Sequence, residues 1–174
     1  GTDVRDKDAV TAAVLTCEMT LFHVLKGKSI VERLDEIYNE FGYFEEVLIS
    51  RYFKGEKGLH TMQNFMEIMG NTPPPVFAGV NVQVVKDYKT GTTLYVDRGK
   101  KEKDIDLPSS NVLQFILEDQ SIISVRPSGT EPKIKFYASC RSVPGLNLSE
   151  ARKLISEKVG RIEEEINSLI AKME

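Results

Sequence analysis

The sequence predicts α/β followed by α+β: an incomplete α/β unit with a mixed sheet over residues 1–72, then a mostly antiparallel sheet with packed helices over 76–174. Three observations carry this. Ahead of residue 72, three helical patterns share a single strand pattern. Pro73, Pro74 and Pro75 then interrupt the chain, since consecutive prolines neither continue a helix nor pair centrally in a sheet. Beyond them come short alternating runs joined by turn residues, closed by one long amphipathic helix.

Residues 6–26 carry apolar side chains almost all round, from Ala9 and Val10 through Leu15, Met19 and Phe22 to Leu25, with Gly27 as the stop; that pattern predicts a buried helix. Ser29 and Glu32 form a capping box for a second helix, with Ile30, Leu34, Ile37, Tyr38 and Phe41 on one face and Gly42 at its end. A strand follows over 46–53. After Gly55 and Gly58, the spacing of Leu59, Met62, Phe65, Met66 and Met69 predicts a third helix ending at Gly70. One strand cannot cover three such helices, so the partner strands are expected ahead of Gly1.

In the second unit Val80, Val82 and Val84 alternate, Lys89, Thr90, Gly91 and Thr92 turn, and Leu94 and Val96 resume, which reads as a hairpin. The mixed charges from Lys100 to Asp104 read as a solvated loop. Pro108, Ser109 and Ser110 are taken to lead into a short helix around Asn111–Leu117. Residues 121–125 and 133–140 read as strands. From Leu148, the apolar positions Ala151, Ile155, Val159, Ile162, Ile166, Leu169 and Met173 describe a long helix, with Asn147 as N-cap. Fewer than four heptads and an interior Gly160 favour packing on the domain's own sheet over a coiled coil.

The totals narrow the function classes. Of 174 residues, 41% are apolar and 28% charged, the profile of a globular protein. With 23 Lys and Arg against 26 Asp and Glu, a net charge of −3 gives no general attraction to nucleic acid or to an anionic membrane, so any anion site must be local. Cys17 and Cys140 sit in apolar segments without a CxxC or Cys/His ligand cluster and are expected to be buried thiols. No apolar run approaches the roughly 20 residues of a bilayer span, and no basic-then-apolar leader opens the chain, which favours the cytoplasm.

The run Arg126, Pro127, Ser128, Gly129, Thr130, Glu131, Pro132 concentrates a guanidinium, two hydroxyls and a glycine between two strands. Glycine permits torsions that turn consecutive amides inward, and such a loop presents several donors to one oxyanion. No Gly-Lys-Ser/Thr opens a helix, so a P-loop ATPase is excluded on spacing. In the following strand Ile134, Phe136, Ala138 and Cys140 alternate with Lys133, Lys135, Tyr137 and Ser139, placing Lys135 on the polar face near Arg126. Pro127, Ser128, Gly129 and Pro132 are equally common in a plain hairpin turn, and composition alone leaves cradle and turn about even. Charge-assisted hydrogen bonds of roughly 1.5–3 kcal/mol each suffice for a sugar phosphate, but a sulfate or a nucleic-acid phosphate fits the same donors.

The stretch from Ser124 to Tyr137 closely resembles the phosphate-binding loop in the last domain of the α-D-phosphohexomutases (phosphoglucomutases and phosphomannomutases), in its phosphoglucomutase form. Arg5, Asp6, Lys7, Asp8 and Ala9, opening the helix through Cys17, Glu18 and Met19, resemble the family's third domain just after its sugar-recognition loop. Both fall in the family's order. The resemblance implies that residues 1–72 are the later part of domain 3, that 73–75 are a Pro-rich linker, and that 76–174 are domain 4, the TBP-like C-terminal domain. The Ser-His-Asn-Pro phosphoserine loop, the Asp-Gly-Asp metal loop and the Glu-Glu-Ser sugar loop are absent from this sequence. No catalytic residue and no metal ligand are therefore expected in it, and the chain alone is expected to be inactive.

The resemblance also implies a mechanism: a phosphoserine phosphorylates a hexose phosphate, the bisphosphate turns over in the cleft, and its other phosphate returns to the serine. Mg²⁺ and the activator glucose 1,6-bisphosphate serve the full-length enzyme, whose N-terminal domains are the implied partner. The last domain holds the phosphate that is not reacting, and by position in the motif Arg126, Ser128, Gly129, Thr130 and Lys135 contact it. Lys7 matches a substrate-facing lysine of the third domain, and Arg5 is a weaker match. Lysine at 135, where some relatives carry arginine, keeps the charge and loses the bidentate fork. His23 and His60 lack partners at ligand spacing and read as structural. The alternatives are a stand-alone phospho-ligand binding module and an assembly role for the 148–173 helix.

Overall fold

The computed structural model of the chain describes residues 6–53 and 55–173. Its elements, in order, are α1 (Ala9–Val24), α2 (Ile30–Phe41), β1 (Phe44–Tyr52), α3 (Gly55–Asn71), β2 (Val76–Phe77), β3 (Val80–Asp87), β4 (Thr92–Tyr95), a 3₁₀ turn (Val96–Arg98), β5 (Lys100–Glu102), β6 (Leu113–Leu117), β7 (Ile122–Pro127), β8 (Lys133–Arg141) and α4 (Leu148–Ala171). The strands form one antiparallel sheet in the order β1-β8-β7-β6-β3-β4-β5, with β2 paired to β3.

Register decides which face is core. Val47, Ala138, Ile123, Phe115, Val85 and Leu94 lie opposite one another across successive strands, and Ile49, Phe136, Val125 and Leu113 form the neighbouring row. Helices α3 and α4 cover these rows. Phe65 of α3 meets the Phe136 ring edge-on at 5.8 Å, and Met62, Met66 and Met69 of the same helix are buried in the same core. From α4, Ile155, Ile162, Ile166 and Ile170 are buried at helical spacing against the same sheet. The long terminal helix thus packs within its own chain. Its Lys158 is buried and reaches both the Asp119 carboxylate and the Ser121 hydroxyl, the latter at 2.5 Å, tying the helix to the β6–β7 turn. Burial opposes ionisation of Asp119, but hydrogen bonds from the Lys158 side chain and the Ser121 amide outweigh it and hold the carboxyl below its ordinary range.

Several expectations need correction. The strand near 46–53 and helix α3, assigned above to a first unit, belong to the sheet of the second: β1 pairs along its whole length with β8, and α3 supplies core. Pro73, Pro74 and Pro75 therefore connect two parts of one packed body and do not divide domains. Residues 113–117 form a strand and not a helix, because Leu113, Phe115 and Leu117 alternate inward at a period of two. The serines before them serve the loop instead, Ser109 donating from its hydroxyl to the Lys89 carbonyl at 3.0 Å. Lys100–Glu102 pair with β4 as an edge strand whose charges face water.

Helix α1 is the largest departure. Asp8 caps it through the Val10 and Thr11 amides, and none of its residues is buried. Val10, Val14, Leu15, Met19, Leu21, Phe22 and Val24 are all exposed, and so is Cys17, while Cys140 is buried as expected. Helix α2 keeps the expected capping box between Ser29 and Glu32 and reaches α4 through an Arg152–Asp35 ion pair of 2.7 Å. Gly42 ends it at φ +94°, where a Cβ would stand 2.6 Å from the Ser142 carbonyl oxygen, so only glycine lets the chain turn into β1 so close to the end of β8.

Candidate functional site: the β7–β8 loop

The loop over 128–132 joins β7 to β8 at one end of the sheet, strand to strand as the sequence predicts. Register places Arg126 directly opposite Lys135, and Pro127 opposite Ile134. Ile134 is buried, so by the pleat Arg126 and Lys135 share the other, helix-free face. There Gln114 donates to the Ser124 hydroxyl at 3.1 Å and Tyr88 to Gln114 at 3.3 Å, a polar chain on the otherwise open face.

Within the loop, the Ser128 amide donates to the Lys133 carbonyl at 2.7 Å, the Lys133 amide to the Glu131 carbonyl at 2.8 Å, and the Thr130 amide reaches the Ser128 hydroxyl oxygen at 3.5 Å. The Phe53 amide donates to the Pro132 carbonyl at 2.8 Å, so the end of β1 anchors the loop's exit. Gly58 lets α3 close against this corner: a Cβ there would lie 2.7 Å from the Phe53 Cβ. Among the described residues, the Gly129 and Glu131 amides have no protein acceptor. They are the donors an anion can take.

Gly129 itself differs from expectation. Its φ is not positive, and a Cβ would meet no atom within 4 Å. Neither torsion nor protein contact demands glycine here; what the missing side chain leaves is open space beside unpaired amides.

The loop also borders a recess of about 220 Å³ between itself and α3, lined by Ser128, Gly129, Thr130, Met62, Gln63 and Asn111 among others. Residues 128–130 thus line a cavity on the helix side, while Arg126 and Lys135 stand on the open face at the same end of the sheet. Sequence reasoning had no local signal for Met62, Gln63 and Asn111, which come from an earlier helix and another loop. Lys7 is not part of this constellation: its side chain is 97% exposed and pairs with its neighbour Asp6 at 3.2 Å. Arg5 lies outside the described residues. No three His, Cys, Asp or Glu side chains gather as a metal site among the described residues, and no described helix is long and apolar enough to cross a membrane.

Comparison with known proteins agrees with this architecture. Residues 80–148 match the family described as phosphoglucomutase/phosphomannomutase, C-terminal domain. Curated relatives include a phosphoglucomutase of Staphylococcus aureus (strain MRSA252), 36% identical over 138 residues covering 79% of this chain and 25% of the relative. One from Staphylococcus haemolyticus is 38% identical over 136 residues, covering 78% and 24% respectively. The chain therefore spans about a quarter of the length of these relatives. Among solved structures, the open form of the Paramecium exocytosis-sensitive phosphoprotein pp63/parafusin, a phosphoglucomutase, covers 99% of this chain and 29% of its own at a TM-score of 0.55 and 14% identity, a likeness of fold.

Proposed function

The chain belongs to the phosphoglucomutase/phosphomannomutase family, and from that premise we propose that it is the phosphate-anchoring part of an enzyme interconverting hexose 1-phosphate and hexose 6-phosphate. In this reading Arg126, Ser128, Gly129, Thr130 and Lys135 hold the phosphate that is not reacting. One observation carries the proposal: amides at Gly129 and Glu131 without an acceptor among the described residues, flanked by Ser128 and Thr130, lie at the sheet end where Arg126 is paired in register with Lys135.

Binding energy taken from the distal phosphate aligns the reacting hydroxyl with a phosphoryl donor, since phosphoryl transfer depends on in-line placement and charge neutralisation. The loop supplies that placement. The phosphoserine and Mg²⁺ are assigned to the remainder of the protein, where the bisphosphate intermediate and the activator glucose 1,6-bisphosphate would react. The same remainder is assigned as the cover of the exposed apolar face of α1, because a helix apolar all round is stable in water only when buried. Two cysteines without a disulfide accord with a cytoplasmic enzyme.

Calorimetric titration of the chain with glucose 1-phosphate tests the reading. Weak binding that Arg126→Ala abolishes is expected; binding indifferent to Arg126 contradicts it.

A further inference from the structure

Lys133 and Tyr52 stand beside the phosphate loop and have been given no role. They are cross-strand partners in the β1–β8 register, two positions further toward the loop than the pairing of Ser50 with Lys135. The Lys133 ammonium donates to the Tyr52 hydroxyl at 2.7 Å and lies 4.6 Å from the centre of its ring. Tyr52 is 65% exposed, so neither group is needed to fill the core. By the pleat Lys133 shares the helix-free face with Lys135, about 7 Å further along the strand, and Arg126 faces Lys135. Three cationic residues thus stand on one face at the loop end of β7 and β8.

Among the described residues Arg126, Lys133 and Lys135 have no carboxylate within ion-pair distance, so each keeps donors for a ligand. Grouping cations at one end of the sheet costs mutual repulsion, which Glu131 relieves in part at Lys133 and a bound anion would relieve further. Donor capacity points the same way. An ammonium has three N–H groups, of which Tyr52 takes one, and the Tyr52 hydroxyl, accepting from lysine, keeps its own proton free to donate. The tyrosine fixes a flexible side chain in place, removing rotamer entropy that binding would otherwise cost. It also raises the lysine's pKa through that hydrogen bond, keeping it charged.

We propose that Lys133, held by Tyr52, is a further cation of the phosphate anchor, reaching the bound phosphate from the β1 side while Arg126 reaches it from β7. This rests on the phosphate-anchor reading above. Titration of the 174-residue chain with inorganic phosphate at two ionic strengths tests both separately. Lys133→Met is expected to weaken binding about fivefold and flatten its salt dependence, as loss of one exposed charge contact would. Lys133→Arg should restore most of the affinity, and Tyr52→Phe, which keeps the ring and removes the hydroxyl, should lose about half the effect of Lys133→Met on a logarithmic scale. Unchanged melting temperatures separate these effects from folding. If Arg126→Ala loses binding while Lys133→Met binds like the parent with the same salt slope, the assignment of Lys133 is overturned and the anchor stands. If neither substitution alters binding, the anchor reading fails and takes this one with it.

Discussion

Helices α1 and α4 are both rich in apolar residues, yet α4 buries six side chains and α1 none. The difference lies in pattern and in partners. Along α4 the apolar residues fall on one stripe, and the chain supplies the sheet that stripe needs. Around α1 they fall on all sides, and among the described residues α2 is its main neighbour, leaving Phe22 and Leu25 at 52% and 78% exposure. An apolar sequence thus reports a demand for burial, and only the fold shows whether the same chain meets it.

The comparison breaks if core and α1 substitutions cost the same. Phe136→Ala, whose ring is fully buried against Phe65, should lose about 3–5 kcal/mol in chemical denaturation. Phe22→Ala in α1 should change stability of this chain by no more than about 0.5 kcal/mol. Next in size is the α4 tether: Asp119→Ala strands the buried Lys158 ammonium with Ser121 alone and should cost about 2 kcal/mol, less than a fully buried pair because Asp119 is partly solvated. The pair also predicts a pH dependence. The folded-state pKa of Asp119 is depressed, so its contribution is full above the ordinary aspartate value near 3.8 and is lost as pH falls through the lower, folded value. Acid melting curves of parent and Asp119→Ala should therefore converge in that range.

Smaller still, Ser29→Ala should cost about 1 kcal/mol by removing the α2 capping box. The smallest expected effect is Thr93→Val. The Thr93 hydroxyl is buried without a hydrogen-bond partner among the described residues, so an isosteric methyl should leave stability unchanged or raise it by up to about 1 kcal/mol.

What could be read in advance follows range of interaction. Ser29 with Glu32, the hairpin around Gly91, the alternation from Lys133 to Cys140 and the stripe of α4 are local patterns, and each forms the element it predicts. The partner of β1 lies more than eighty residues away on β8, and no local feature announces that pairing. Hence the division placed at the prolines, the helix placed around Asn111–Leu117 and the burial assigned to α1 and Cys17 all failed where tertiary context decided. The site divides likewise: Arg126, Ser128, Thr130 and Lys135 sit in one contiguous motif, whereas Tyr52, Phe53, Met62 and Asn111 reach the loop only through folding.

The central claim is that the loop's unpaired donors hold a phosphate. The direct measurement is two-dimensional amide NMR of the chain during titration with glucose 1-phosphate. The account predicts saturable shifts concentrated at Gly129, Thr130 and Glu131 and lost in Arg126→Ala; shifts scattered over the surface, or centred elsewhere and unaffected by Arg126→Ala, would contradict it.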